Sequence, residues 1–222
     1  MPGATNRTIG NAVVAAGAVL LVLAGCSSES SDWKDAQTKA TPEALQEFLK
    51  RHPNGQFRQA ATERLEESLY RPLEGDVARA HAKLFGQKSD REGGSRLLGE
   101  ILAKAPNHPL ALSYSAHFLA VDKKYDQAIV FLNQALKRGD TSAPSCRSKD
   151  QLDRWKYFLE RKCIGHILHG WADVNPVMSC PPGEYGSEQW KTSIEAIDYN
   201  ITSIAITKRF DSDNPADKGI CP

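Results

Sequence analysis

The stretch Pro109–Asp140, PLALSYSAHFLAVDKKYDQAIVFLNQALKRGD, decides the fold that the sequence predicts. Its first part carries an apolar stripe at helical spacing, made of Leu112, Ala116 and Leu119, and a polar turn follows at 123–126. The second part repeats the pattern with Ala128, Leu132 and Ala135. Small residues let two helices approach closely while a leucine fills the remaining gap. The stretch therefore predicts an antiparallel helical hairpin.

This hairpin resembles a tetratricopeptide repeat. The matching positions are Pro106, Ala116, Tyr125, Ala128, Leu132 and Ala135. The hairpin departs from the family at Leu112, where tryptophan is usual, and at Asp140, where proline often closes the repeat. A weaker copy lies upstream, with Gly94, Leu98 and Ile101. The resemblance implies an all-α solenoid of stacked antiparallel hairpins.

The same resemblance implies a binding groove for a protein partner. Stacked hairpins form a concave face that is lined by the first helix of each pair. In the strongest repeat the positions that line this face are Leu110, Ser113, His117 and Ala120. A mixed apolar and polar surface of this kind suits an extended peptide or a partner helix. The alternative is that a C-terminal hairpin covers the groove.

Residues 32–105 predict further helices. Thr41-Pro42 begins one of them, because it supplies a hydroxyl N-cap and a proline at the first helical position, and residues 52–55 end it. Later apolar stripes predict a helix after residue 57, one that Gly86 ends, and one over 92–105. The first hairpin resembles the short tetratricopeptide-like hairpins of envelope lipoproteins, through Trp33, Ala36, Ala44, Phe48, Leu49, His52, Pro53, Gly55, Ala60 and Ala61.

The last 80 or so residues predict a second type of hairpin. Helices are expected over 150–173 and 187–210, with a loop at 174–186 that is rich in proline and glycine. The second helix has a clean apolar stripe, made of Trp190, Ile194, Ile197, Ile201, Ile204 and Ala205. Tryptophans also suggest sugar binding, but Trp155 and Trp190 fall on stripes that favour the core.

The N-terminus predicts export and lipid attachment. Arg7 precedes an apolar run, Ala12–Leu23, that is too short to span a bilayer, and this arrangement is typical of a signal peptide. The run ends in Leu23-Ala24-Gly25-Cys26, which resembles the lipobox of bacterial lipoproteins. The resemblance implies cleavage before Cys26, diacylglycerol on its sulfur and a fatty acid such as palmitate on its amine. Ser27 after the cysteine implies an outer-membrane address facing the periplasm, and residues 26–31 are expected to be a tether.

Four cysteines remain once Cys26 is assigned to the lipid, and an even number in an exported chain favours disulfides. Four cysteines allow three pairings. Cys146 and Cys221 lie at one end of the C-terminal hairpin, whereas Cys163 falls within its first helix and Cys180 in the loop at the other end. We therefore predict the pairs Cys146–Cys221 and Cys163–Cys180.

Charge and motifs argue against several classes of function. Lys and Arg number 28 against 27 Asp and Glu, and loss of Arg7 with the signal peptide leaves 27 against 27, so no pull toward nucleic acid is expected. No catalytic motif is present in the sequence. Cys163, His166 and His169, with Asp173 one turn further, have the spacing of metal ligands on a helix. The alternative, which we favour, is that the cysteine is in a disulfide and the histidines bond locally, so no metal or cofactor is expected.

These observations predict a non-enzymatic lipoprotein. Its expected parts are a signal peptide (1–25), the lipidated cysteine and tether (26–31), tetratricopeptide-like repeats (32–140) and a disulfide-stapled helical domain (141–222). The expected function is that of a scaffold or adaptor that binds a protein of the bacterial envelope, as in an assembly, secretion or pilus-type complex. The alternative is a periplasm-facing lipoprotein that binds a metal or a saccharide through its C-terminal domain.

Overall fold

A computed structural model describes residues 28–137, 153–154, 157–158, 160–161, 163 and 180–211 of the chain. Every regular element in these ranges is a helix, so the predicted all-α class is confirmed there. The helices are α1 (28–39), α2 (Pro42–Arg51), α3 (Arg58–Tyr70), α4 (Glu74–Phe85), α5 (Arg91–Lys104), α6 (Pro109–Val121), α7 (Tyr125–Ala135) and α8 (Glu188–Asp211), with a short 3₁₀ turn at Arg71–Leu73.

Local signals place most helix ends where the sequence predicts them. The Thr41 hydroxyl accepts a hydrogen bond from the Ala44 N–H and caps α2, which Pro42 begins. The carboxylate of Asp90 caps α5 in the same way by accepting from the Gly93 N–H. Gly86 ends α4 as expected. These ends follow from chemistry within one helical turn, which is why they can be read from the sequence.

The chain forms two compact units that divide inside α3, between Ser68 and Leu69. The predicted division near residue 140 is not where the units separate, because α8 packs against α6 and α7 in the second unit. The apolar stripe predicted for α8 accounts for this packing. Its isoleucines Ile197, Ile201 and Ile204 are buried with the small residues of the α6–α7 hairpin.

The first unit is built on α1, α2 and most of α3. Trp33 is buried beside Phe48 and Phe57, with ring centroids 5.2 and 5.6 Å away. The described helix already covers residues 28–31, so the prediction of an unstructured tether up to residue 31 is wrong for this part. Long-range partners explain the difference: the Glu29 carboxylate accepts a hydrogen bond from the Phe57 N–H at 3.2 Å.

The second unit contains a close hairpin of α6 and α7. Ala116 and Ala128 are fully buried, and Leu132 is buried with them, as the pattern of small and large residues predicts. A further close approach lies between α4 and α5, where a Cβ on Gly94 would stand 2.1 Å from a methyl carbon of Leu84. The absence of a side chain at Gly94 therefore sets how closely these two helices pack.

Around residues 153–163 the structure departs from the predicted helix 150–173. Residues 153–154, 157–158 and 160 are helical, but Arg161 lies in a turn and Cys163 in a bend. The Cys163 N–H donates to the carbonyl of Phe158, five residues earlier, instead of continuing the four-residue helical pattern. Cys163 is joined to Cys180 in a disulfide, the pair that the sequence predicts. The second predicted pair, Cys146–Cys221, lies outside the described residues.

Candidate functional site

The four residues predicted to line a groove all lie on α6, but most of them are not on an open surface. Leu110, Ser113 and Ala120 are 1–3 % exposed. Leu110 belongs to a core cluster that includes Trp190 of α8, and Ala120 packs in the cluster that contains the α8 isoleucines. The prediction of an open groove is therefore wrong at these three positions. The apolar stripe of α8 covers this face, which was the alternative that the sequence left open.

His117 is the one member of the predicted set that reaches the surface. Its ring lies between Phe85 of α4 and Phe118 of α6, with centroids 5.0 Å from each. Burial of most of the ring, with the nearby charge of Arg91 in a smaller role, lowers the pKa of His117 to about 4. The Nδ1 atom is buried and has no hydrogen-bond partner. His117 is therefore a neutral, partly apolar group at physiological pH.

Arg91 completes a small patch around His117. Its guanidinium lies over the Phe118 ring, 5.1 Å from the centroid, and donates to Asp122 at 2.5 Å. Val121, one turn beyond His117 and Phe118 on α6, is 40 % exposed. We call Phe85, Arg91, His117, Phe118 and Val121 the α6 patch. It combines half-buried aromatic rings, an arginine held in place and an exposed valine.

No pattern in the sequence predicts Phe85, Arg91 and Phe118 as members of this patch. They come from three helices and lie next to one another only because α4, α5 and α6 pack together. A helical projection of α6 would have indicated one part of the patch, since His117, Phe118 and Val121 share a face. No sequence signal connects Arg91 to them.

A second cluster of aromatic and histidine side chains is part of the core. His108 is fully buried, its Nδ1 caps α6 by accepting from the Ala111 N–H, and its ring packs against Tyr70 and Trp190. Burial lowers the pKa of His108 to about 4. Burial and the neighbouring Tyr185 raise the pKa of Tyr70 to about 12, and the Tyr70 hydroxyl donates to the Asn107 carbonyl. Neither group is exposed to a substrate, so this cluster serves packing.

The segment after Cys180 is braced by polar contacts. The Tyr114 hydroxyl, whose pKa is raised by burial, donates to the Cys180 carbonyl at 3.0 Å. The Tyr185 N–H donates to the Glu74 carboxylate at 2.7 Å, and the Ser193 hydroxyl donates to the Pro181 carbonyl. These bonds hold the segment across α4, α6 and α8.

The metal and sugar alternatives find little support in the described residues. Cys163 is in a disulfide and has no thiolate to offer, while His166, His169 and Asp173 lie outside the described ranges. No group of three His, Cys, Asp or Glu side chains suited to a metal occurs in the described part. Of the tryptophans, Trp33 and Trp190 are buried in core clusters, and Trp155 and Trp171 are outside the described residues.

The first unit has a shallow cleft of about 80 Å³ between α1 and α2. Phe48 forms part of its apolar floor, and charged side chains surround it. Arg51 on the rim is already engaged by Glu47, at 2.9 Å, and by Asp32, at 4.0 Å. Arg51 is therefore already paired with two carboxylates, and the cleft is too small for more than a few atoms of a ligand.

Comparisons with protein-family models, with curated proteins and with solved structures find no match. None of the described helices is long and apolar enough to cross a membrane. The assignment of a function therefore depends on the lipobox motif and on the geometry given above.

Proposed function

We propose that this chain is a non-catalytic, lipid-anchored scaffold or adaptor of the bacterial envelope. Cys26 carries the lipid anchor at the outer membrane, and the α6 patch binds a protein partner. The resemblance of 106–140 to a tetratricopeptide repeat agrees with this function, since such hairpins commonly present binding surfaces. The partner surface differs from the groove expected from that resemblance, because α8 covers most of the groove.

One observation carries the proposal, namely the composition of the α6 patch. Arginine and aromatic side chains are the residue types that contribute most at protein interfaces. Here the guanidinium of Arg91 is held over Phe118 and paired with Asp122, so little side-chain entropy is lost when a partner binds. The neutral ring of His117 adds apolar area without the cost of burying a charge.

The patch can be tested with two exposed valines of the second unit. Val121 on α6 and Val130 on α7 are 40 % and 45 % exposed, so Val121→Asp and Val130→Asp place the same new charge on helices of the same unit. Full-length protein carrying a photo-cross-linking amino acid next to the patch is irradiated in native membranes. The cross-linked protein is identified and purified, and its affinity for each variant is measured.

We expect Val121→Asp to weaken binding at least tenfold and Val130→Asp to leave it unchanged, since a buried charge at an interface costs more than 1.4 kcal/mol. Equal affinities of the two variants would remove the α6 patch from the proposal. The anchor is tested separately, by the mass of the N-terminal peptide and by membrane association of wild type and Cys26→Ser. A wild-type peptide without lipid would refute the lipoprotein assignment.

A further inference from the structure

The α6 patch lies where two helix connections of the second unit meet. Phe85 is the last residue of α4 and Arg91 the first of α5, so the connection 86–90 begins and ends at the patch. Val121 is the last residue of α6, and the turn to α7 follows it directly. The hydrogen bond from Arg91 to Asp122, at 2.5 Å, joins this turn to the connection. Charged side chains on both segments therefore border the patch.

Bases outnumber acids around the patch. The end of α8 reaches the same side of the unit, because Lys208 pairs with Asp126 at 2.6 Å. The described acids at this end are Asp90, Glu92, Asp122 and Asp126, and the described bases are Lys83, Lys88, Arg91, Arg96, Lys123, Lys124 and Lys208. Three positive charges therefore remain in excess when every acid keeps its own charge. An excess of this kind attracts an acidic partner and speeds its association.

The acids nearest the patch do not cancel this excess. The Asp122 carboxylate accepts from Arg91, and this bond, with the nearby charge of Lys124 in a smaller role, holds the pKa of Asp122 below its usual value. The Asp90 carboxylate accepts from Lys83 at 2.6 Å, and this bond lowers the pKa of Asp90 as well. Each of these two carboxylates is ionised and hydrogen-bonds to one base, so further bases at this end have no acid of their own.

Lys88 and Lys124 are the bases best placed to meet a partner. Lys88 lies three residues after Phe85, and Lys124 lies three residues after Val121. Three residues of extended chain span at most about 10 Å, so both ammonium groups are within reach of a segment bound on the patch. Both lysines are exposed, and neither forms an ion pair with the described part of the chain.

The centre of the patch offers an apolar contact between these bases. Val121 is 40 % exposed, and the Phe118 ring and the neutral ring of His117 lie one turn before it on α6. A segment that suits this surface places an apolar side chain against Val121 and carboxylates on either side of it. Ammonium and guanidinium groups bind carboxylates through charge-assisted hydrogen bonds.

We propose that the α6 patch binds an acidic segment of a partner protein, with one apolar side chain against Val121 and carboxylates that pair with Lys88 and Lys124. The inference rests on the proposed function, because it names the chemistry of the partner that the scaffold binds. The surface lies at the helix ends and not on the concave face of the hairpins, which α8 covers.

The test selects peptides from a random library displayed on phage, with the mature, lipidated full chain in a neutral detergent as the target. Peptides that also bind Val121→Asn are removed, since this variant loses the apolar contact without a change of charge. The affinity of the most enriched peptide is then measured at several salt concentrations for wild type and for the double variant Lys88→Glu with Lys124→Glu. The matched control is Lys104→Glu with Lys191→Glu, at exposed positions near the opposite ends of α5 and α8.

We expect the retained peptides to be acidic and to contain an apolar residue. Reversal of Lys88 and Lys124 should weaken binding roughly tenfold at low salt and remove most of its salt dependence, whereas the control should change it by less than about twofold. Retained peptides that are neutral or basic, or equal affinities of the two double variants, would overturn the acidic partner and leave the α6 patch as a docking surface. A selection without any peptide that depends on Val121 would count against the patch itself.

Two other occupants are distinguished by the same proteins. A dimer of the full chain that dissociates in Val121→Asn, measured by analytical ultracentrifugation, would assign the patch to a second copy and overturn the acidic partner. Residues 212–222 follow α8 and carry Asp213 and Asp217. Peptide affinity that rises several-fold in Asp213→Asn with Asp217→Asn would assign the bases to the chain's own C-terminal residues and also overturn it.

Discussion

Replacement of Leu110 by alanine tests whether α8 covers the face of α6 that the sequence predicts to be open. Leu110 is 1 % exposed and packs in the cluster that contains Tyr114 and Trp190. Leu→Ala removes about 2.4 kcal/mol of transfer free energy at ~0.8 kcal/mol per carbon group. The cavity left behind adds to this loss, so we expect the free energy of unfolding to fall by about 2.5–4 kcal/mol.

The assay is urea denaturation of wild type, Leu110→Ala and the matched control Val121→Ala, followed by circular dichroism. Val121 is 40 % exposed on the same helix, so its replacement should change stability by less than about 0.5 kcal/mol. Thermal denaturation should show a fall in Tm of roughly 6–12 °C for Leu110→Ala. If Leu110→Ala costs no more than Val121→Ala, Leu110 lies on an open surface and our account of α8 is refuted.

Three further predictions concern other parts of the molecule. First, burial lowers the pKa of His108 to about 4, so only the unfolded chain takes up this proton between about pH 6.5 and 4. The free energy of unfolding should therefore fall by up to about 3 kcal/mol as the pH is lowered through that window. His108→Asn keeps an N-cap and should flatten this decline in denaturation midpoints measured against pH. Second, the Cys163–Cys180 disulfide closes a loop of sequence separation 17 and so restricts the unfolded chain. Replacing both cysteines by serine should lower the free energy of unfolding in urea by about 3 kcal/mol. Equal stability with and without the disulfide would contradict this entropic effect. Third, a Cβ at Gly55 would stand 2.1 Å from the Glu29 carboxylate, so Gly55→Ala should displace the Glu29 side chain. The loss of its hydrogen bond should cost about 1 kcal/mol of stability and speed hydrogen exchange at the Phe57 N–H. An unchanged exchange rate would show that the Glu29 contact does not hold α1.

Several features of the fold could be predicted because their causes are local. Thr41 and Pro42 begin α2 through a cap within one turn, and the alternation of small and large residues predicts the α6–α7 hairpin. The tether at 27–31 illustrates the limit of such reasoning. This stretch has no apolar period, yet residues 28–31 are helical, and Glu29 holds them through a partner 28 residues away.

The candidate site shows the same division between local and distant causes. The sequence places His117 on α6, where it reaches the surface. The three other residues of the predicted groove are buried under α8, and no sequence pattern indicates Arg91. A stripe of isoleucines indicates that α8 must cover something, but the pattern does not say which surface.

From the sequence alone one can determine the helical class, the positions of most helix ends and the apolar face of most helices, because these depend on spacing within a few residues. The tertiary structure decided that α8 covers α6, that the α6 patch remains open, and that residues 28–31 are part of a helix. These features depend on packing between segments up to about a hundred residues apart, as in the bond from the Tyr185 N–H to Glu74. Such packing is selected by the total burial of apolar surface, and no local pattern records which of two apolar faces will meet.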